Sequence, residues 1–201
     1  MKLRRLKVVS ILIAGVFGLI ARGMADDLSE TAWTLERLAA LVKAQRESTI
    51  FFEETTYSSL VTRPLVTRGV LRFTPPSRLE KEVQEPYRER YVIEDDLVTV
   101  ESERRNLTQT LSLDGYPGLR GFVETVRAVL NGDVKEVTRD YDWLLEGGKH
   151  RWVLRLRPRE QSEGMIESIE LTGTDGHLQT IMIRFAGGDR SVMTLLPGRL
   201  P

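Results

Sequence analysis

The chain has 201 residues, with 29 Lys and Arg against 29 Asp and Glu, two His and no Cys. This length predicts one ordinary domain, and the lack of cysteine excludes disulfide bonds, thiolate zinc sites, iron–sulfur clusters and a lipid-modified cysteine anchor. Hydrophobic residues make up 41% of the chain, which is enough for a folded core. A balanced charge with no basic run beyond the first few residues offers no electrostatic footprint for nucleic acid.

The first 25 residues have the order of charged, apolar and small residues that is typical of a secretory signal. Residues 1–7 carry four basic side chains, residues 8–20 form an uncharged and mostly apolar run, and Gly23 and Ala25 are the small residues that a signal peptidase reads. The apolar run is shorter than the roughly 20 residues of a membrane-spanning helix, so cleavage after Ala25 is favoured over an uncleaved anchor. The remaining chain, residues 26–201, has 24 basic and 29 acidic residues. We expect it to be a single soluble domain in a bacterial periplasm or outside the cell.

A helix followed by a run of strands is predicted for the first half of this domain. We expect the helix at Asp27–Gln45, because Asp27 and Glu30 have the spacing of a capping box and apolar residues recur every three or four positions. From Ser48 the apolar period changes to two, which is typical of strands. These strands are predicted at Thr49–Leu60, Leu65–Phe73, Ser77–Glu85, Tyr87–Ile93, Leu97–Glu103 and Asn106–Leu113. Their connecting turns are so short that neighbouring strands must be antiparallel.

The second half of the domain is also predicted to contain a helix followed by strands. The helical period returns between Tyr116 and Gly132, where Asn131 and Gly132 are a stop signal. Further strands are predicted at Val134–Leu145, His150–Arg157, Met165–Gly173, His177–Ala186 and Ser191–Leu196. The chain is therefore predicted to contain about eleven strands and two helices.

Alternation within the strands predicts a sheet with one apolar and one polar face. Trp152, Leu154 and Leu156, for example, alternate with Arg151, Val153, Arg155 and Arg157. Two helices are too few to cover one face of a flat sheet of eleven strands. We therefore predict an α+β fold in which an unclosed, strongly curved antiparallel β-barrel has helices on its apolar concave face.

Motifs of catalysis are absent from the sequence. It contains no G-x-S-x-G, no Walker loop, no H-E-x-x-H and no glycine fingerprint of a dinucleotide fold. His150 and His177 each begin a predicted strand beside turn glycines, which favours solvated side chains over metal ligands. The arginines at 155, 157 and 159 indicate either a solvated basic face or a contact for an acidic partner or anionic lipid. We expect no catalytic residue, no metal and no cofactor, with a histidine-dependent ester hydrolase as the least favoured alternative.

Several stretches of the chain resemble the LolA-type family of outer-membrane lipoprotein carriers. They are Phe51–Glu54, Gly69–Phe73 with Pro75–Leu79, Asp95–Val98, Trp152–Pro158, and Ile169–Leu171 with Ile181–Phe185. More specifically, the chain resembles the LolA-related proteins that are encoded with aryl-polyene and xanthomonadin-type pigment pathways. One departure concerns the strand turn. In the family an arginine stands directly before the proline of this turn and holds the lid helices, whereas this chain has Pro75 directly before Pro76. The departure favours a dedicated cargo, such as a polyene lipid, over the general lipoprotein pool.

The resemblance implies a monomeric carrier whose apolar cavity shields a lipid or acylated cargo during transit between an inner-membrane donor and an outer-membrane acceptor. The cavity candidates are Leu71, Phe73, Leu79, Phe122, Trp152, Leu154, Leu156, Ile181, Ile183 and Phe185, and the polar rim candidates are Arg72 and Arg78. An ordinary filled core is the alternative for each apolar candidate. LolA-like domains also occur in envelope-stress regulators, so a lipid-sensing or protein-binding module without transport is the alternative function.

Overall fold

The structure is a computed structural model that describes residues 32–45, 49–159, 166–196 and 198. The chain divides into two compact units, residues 1–33 and 34–201, and the sheet and helices described below belong to the second unit. The predicted signal segment and the start of the helix predicted at Asp27–Gln45 lie outside the described residues.

Eleven antiparallel strands form one sheet in the described part of the chain. In chain order they are β1 (Thr49–Tyr57), β2 (Leu65–Thr74), β3 (Arg78–Glu85), β4 (Glu89–Glu94), β5 (Leu97–Ser102), β6 (Leu107–Ser112), β7 (Tyr141–Gly148), β8 (Arg151–Pro158), β9 (Ile166–Thr174), β10 (His177–Phe185) and β11 (Arg190–Leu196). The order across the sheet is β6-β5-β4-β3-β2-β1-β11-β10-β9-β8-β7, so β1 and β11 pair near the middle and β6 and β7 are the two edges. The predicted α+β fold with an unclosed, curved antiparallel sheet is confirmed.

Three helices accompany the sheet in the described residues. They are α1 (Leu35–Gln45), α2 (Pro117–Asn131) and α3 (Val134–Asp140), and a short 3-10 turn at Leu113–Gly115 precedes α2. Pro117 stands in the first turn of α2, where its missing N–H is not needed. Gly132 ends α2 with a left-handed φ of 73°, and its N–H donates to the carbonyl groups of Ala128 and Val129. The helix predicted between Tyr116 and Gly132 is therefore confirmed.

The strand predicted at Val134–Leu145 is wrong in its first half, because residues 134–140 form α3 and β7 begins only at Tyr141. The Asp133 carboxylate accepts a hydrogen bond of 3.3 Å from the backbone N–H of Glu136, which caps the helix. Val134 and Val137, three positions apart, both line the interior. Capping and burial on a helical period outweigh the strand propensity of the two valines.

The inner face of the sheet is the face on which the helices pack. Residues paired directly across antiparallel strands share a face. Leu154 of β8 pairs with Leu171, Leu171 with Ile181, Ile181 with Met193, and Met193 with Glu54 of β1. This row crosses five strands on the inner face and changes from apolar side chains to a carboxylate at β1.

Candidate functional site: an inner face with an apolar and a polar half

The helices and the inner face enclose an apolar cavity of about 20 Å³. A cavity of this size holds about one water-sized group, so the interior is nearly filled in this conformation. Asp133 is the one charged residue of its lining. The others are Leu35, Leu38, Ala39 and Val42 of α1, Ala128 and Val129 of α2, Val134 and Val137 of α3, and Trp152, Leu154 and Leu171 of the sheet.

Trp152 is the aromatic residue of this lining, and its indole N–H is buried. Its side chain is 1% exposed, and its indole N–H has no hydrogen-bond partner in the described part of the chain. The ring lies against Gly173. A Cβ atom added at that glycine would lie only 2.3 Å from the Cζ2 atom of the tryptophan ring. A buried N–H without an acceptor costs about 1–3 kcal/mol. The buried indole N–H is therefore a local cost of packing the ring at this position.

The structure places nine of the ten apolar candidates on strands of the sheet and Phe122 on α2, and they fall in separate groups. Trp152 and Leu154 line the cavity, and Leu156 is fully buried on the same strand. Leu71 and Ile181 pack against a cluster of Phe52, Val83, Met193 and Leu195, whereas Leu79 and Phe122 pack against Val98, Leu113 and Val123 under α2. Phe73 is buried and pairs with Leu79, while Ile183 and Phe185 are half-buried at the end of β10.

A polar cluster occupies the half of the inner face beside β1, and we call it the inner polar cluster. Glu54 of β1 forms an ion pair with Lys81 of β3 across the intervening β2, and it accepts a 2.6 Å hydrogen bond from the Ser191 hydroxyl. The Lys81 ammonium also lies 5.3 Å from the centre of the Phe52 ring. Only 14% of the Glu54 side chain is exposed, so this pair is partly shielded from water.

Glu89 is the second carboxylate of the inner polar cluster. It accepts hydrogen bonds from the Tyr91 hydroxyl at 2.7 Å, the Ser102 hydroxyl at 3.1 Å and the Arg105 guanidinium at 3.0 Å. Burial acts to raise the pKa of the Glu89 carboxyl, but these hydrogen bonds outweigh it and hold the pKa below its usual range. Burial and the hydrogen bond to Glu89 raise the pKa of Tyr91 to about 12.

The rim candidates Arg72 and Arg78 lie on the outer face of the sheet. Arg72 is 2.8 Å from both Glu80 and Glu82, and Arg78 is 3.6 Å from Glu80. The hydrogen bond from Arg90 lowers the pKa of Glu80. These residues form a network of ion pairs between neighbouring strands. The inner polar cluster, by contrast, lies on the inner face.

Polar side chains of α2 attach this helix to two turns of the sheet. The Arg127 guanidinium donates to the backbone carbonyl of Ser77 at 2.7 Å and to that of Asp95 at 2.9 Å, and the Asn131 amide donates to that of Pro76 at 2.8 Å. The strand turn that lacks an arginine before its proline is thus held by an arginine of the helix. These three hydrogen bonds must break if α2 is to leave the sheet at this end.

No metal or membrane-spanning element is found among the described residues. They contain no group of three His, Cys, Asp or Glu side chains that could hold a metal ion. None of their helices has the length and apolar character needed to cross a bilayer. His150 is largely exposed, with its Nδ1 atom 2.8 Å from an Asp175 carboxylate oxygen.

A model of one protein family, described as outer membrane lipoprotein carrier protein LolA-like, matches residues 24–200. The chain belongs to this LolA-like family. No curated protein matches the chain. The resemblance to LolA-type carriers noted in the sequence is confirmed at the level of the family, whereas the relation to pigment pathways stays a prediction.

Solved structures with a similar fold have low sequence identity to the chain. A LolA superfamily protein from Nitrosomonas europaea is 15% identical over 85% of this chain and 96% of its own, with a TM-score of 0.41. The MucA/MucB complex of Pseudomonas aeruginosa matches 80% of this chain and 55% of the other, with 14% identity and a TM-score of 0.41. LprF from Mycobacterium bovis is 8% identical over 83% of this chain and 95% of its own, with a TM-score of 0.35. The family assignment depends on the family model and not on these structures.

Two parts of this LolA-like site were not predicted from the sequence. The helix side of the cavity includes Val134 and Val137, which were missed because their segment was predicted as a strand. The Asp133-x-x-Glu136 spacing of a helix start was the available signal. The ion pair of Glu54 with Lys81 had no local signal, because the two residues are 27 positions apart on strands that are not neighbours.

Proposed function

We propose that this protein is a carrier that shields a lipid or acyl chain beneath its helices and ferries it through the periplasm toward the outer membrane. The observation that carries this proposal is the apolar interior between α1, α2, α3 and strands β8 and β9. Leaving an acyl chain in water costs about 0.8 kcal/mol per methylene. A carrier therefore needs an apolar enclosure and no catalytic group, and we propose no catalysis here.

Loading must displace the helices, because a cavity of about 20 Å³ cannot hold an acyl chain. α2 is the element that closes the interior at the turns of β2–β3 and β4–β5. Its three side-chain hydrogen bonds to Pro76, Ser77 and Asp95 contribute about 1 kcal/mol each. These hydrogen bonds and the burial of apolar side chains of α2, such as Val123, together oppose opening. In this proposal, loading and release of a cargo include a reversible displacement of the helix.

The strand turn supports a dedicated cargo, such as a polyene lipid, over the general lipoprotein pool, because this chain has no arginine directly before Pro76.

The signal pattern at the N-terminus supports the periplasmic assignment. Residues 1–25 have the pattern of a cleaved signal, and the family match begins at residue 24. In this proposal the processed chain is a monomer that receives its cargo from an inner-membrane donor and delivers it to an outer-membrane acceptor.

Mass spectrometry of an organic extract tests the proposal directly. The full chain is expressed in a Gram-negative host, purified without detergent, and its N-terminus and bound lipids are determined. We expect an acyl-containing compound in a near-stoichiometric amount. A protein that is free of lipid and takes up no fluorescent fatty acid would contradict the carrier function.

The role of α2 is tested by the rate of fluorescent fatty acid uptake. Arg127→Gln removes two hydrogen bonds between α2 and the sheet, and we expect uptake to become roughly fivefold to thirtyfold faster. Arg139→Gln is the matched control, because Arg139 pairs with Glu136 and Asp140 on or beside its own helix. Equal rates for both variants would show that α2 does not gate the interior.

A further inference from the structure

The tip of the β1–β2 hairpin, residues 57–66, exposes an apolar surface. The Leu60 side chain is 89% exposed, and Val61, Leu65 and Val66 are between 41% and 53% exposed. Isolated apolar residues on a surface are ordinary. Here adjacent Leu60 and Val61 lie at the tip, with Leu65 and Val66 on opposite faces of the strand that follows, so exposed apolar side chains are concentrated at one end of the hairpin, which favours an interaction site.

Hydrogen bonds to the neighbouring β10–β11 turn hold the base of this tip. The Asp189 carboxylate accepts from the Ser58 hydroxyl at 2.7 Å and from the Ser59 N–H at 2.9 Å. The hydrogen bond from Ser58 lowers the pKa of Asp189, so the carboxylate stays ionised. The apolar side chains therefore project from an anchored base.

Basic residues surround the tip. Arg63 lies within it, and Arg184 and Arg190 face each other across β10 and β11. Like charges placed directly opposite one another destabilise a sheet. No carboxylate in the described ranges forms an ion pair with any of these three arginines, although such pairs are frequent elsewhere in them. An anionic partner would offset this repulsion.

An aromatic ring completes the surface. Tyr57, at the end of β1, is partly exposed, and the Arg190 guanidinium stacks 4.2 Å from the centre of its ring. Apolar side chains flanked by tyrosine and by arginine are the combination that membrane interfaces favour. The tyrosine ring suits the headgroup level, and each arginine attracts anionic lipids.

We propose that the hairpin tip docks the protein on an anionic lipid bilayer, with Leu60 and Val61 inserted below the headgroups. Leu65 pairs with Thr56, two positions from Glu54 on the same face of β1, so the tip adjoins the inner polar cluster. The proposal concerns a membrane contact and holds whether or not the interior carries a lipid.

The lack of cysteine allows a local test with single-cysteine variants. Leu60→Cys and the control Leu97→Cys, an exposed leucine of the β4–β5 turn, are labelled with the same environment-sensitive dye. Vesicles of phosphatidylethanolamine and phosphatidylglycerol are then added. We expect a blue shift for the dye at position 60 and none at position 97. Equal responses at the two positions would overturn the proposal.

Partitioning measurements on unlabelled variants complete the test. Leu60→Asp with Val61→Asp should weaken binding to these vesicles roughly tenfold or more. Arg63→Gln with Arg190→Gln should weaken it to a similar degree, but not on phosphatidylcholine vesicles. If the double aspartate variant binds as tightly as the unmodified chain, insertion is wrong. The lipid that co-purifies with the same variants is measured in parallel. A variant that no longer binds vesicles but still contains its lipid shows that docking and the carrier function are separate properties.

Discussion

The two halves of the inner face differ in what lies over them and in what holds them together. The half at β8 and β9 is covered by three helices and is held by apolar contacts, with Trp152 and Leu154 almost fully buried. The half beside β1 has the inner polar cluster, where Glu54 and Lys81 retain some exposure to water. The comparison indicates that a cargo with an apolar chain and a polar end would fit with its chain beneath the helices and its polar end beside β1.

The largest expected effect is in the covered half. Leu154→Ala should lower the free energy of unfolding by about 3 kcal/mol, because it removes buried methyl groups from a nearly filled interior. Leu144→Ala on the neighbouring β7 is the matched control, because this leucine is about half exposed. Its cost should stay below about 0.5 kcal/mol. Urea denaturation of both variants measures the difference, and equal costs would mean that the helices do not seal this half.

A smaller effect is expected from the ion pair of the polar half. Lys81→Met should cost about 2 kcal/mol because it leaves the partly shielded Glu54 carboxylate without its counter-ion. Glu54→Gln in the same chain should recover part of that loss. A double-mutant cycle gives the coupling energy, which should exceed that of Arg68 with Glu53, a more exposed pair on the outer face. A coupling no larger than that of the outer pair would contradict a shielded polar half.

The smallest expected effect is a pH dependence of stability that distinguishes the polar half of the inner face from the apolar half. The pKa of Glu89 is lowered in the folded state, so its contribution is present above the unfolded value near 4.5 and is lost as the pH falls through the folded value. Glu89→Gln should therefore cost about 1 kcal/mol at pH 7 and progressively less below pH 4.5. The cost of Leu154→Ala should be the same at both pH values. A cost of Glu89→Gln that does not change with pH would show that the carboxylate is not stabilised by its hydrogen bonds.

The strand residues of the apolar half could be predicted in part from the sequence, whereas the helix residues that line its cavity and most of the polar half could not. Trp152, Leu154 and Leu156 were predicted on one face because strand alternation is a local pattern. Their separation from Leu71 and Leu79 into different clusters was not predictable, because it depends on where each helix packs. Arg72 and Arg78 were expected near the cavity from their distance to the strand turn along the chain, yet both side chains point to the outer face.

The sequence by itself determined the antiparallel sheet, its two faces and the LolA-like family, because turns, alternation and family motifs are encoded in short stretches. The tertiary structure decided how full the interior is, which residues of α2 hold the strand turns, and how Glu54 meets Lys81 across β2. These features depend on contacts between residues far apart in the chain. Their free energies depend on burial, which only the assembled sheet and helices establish.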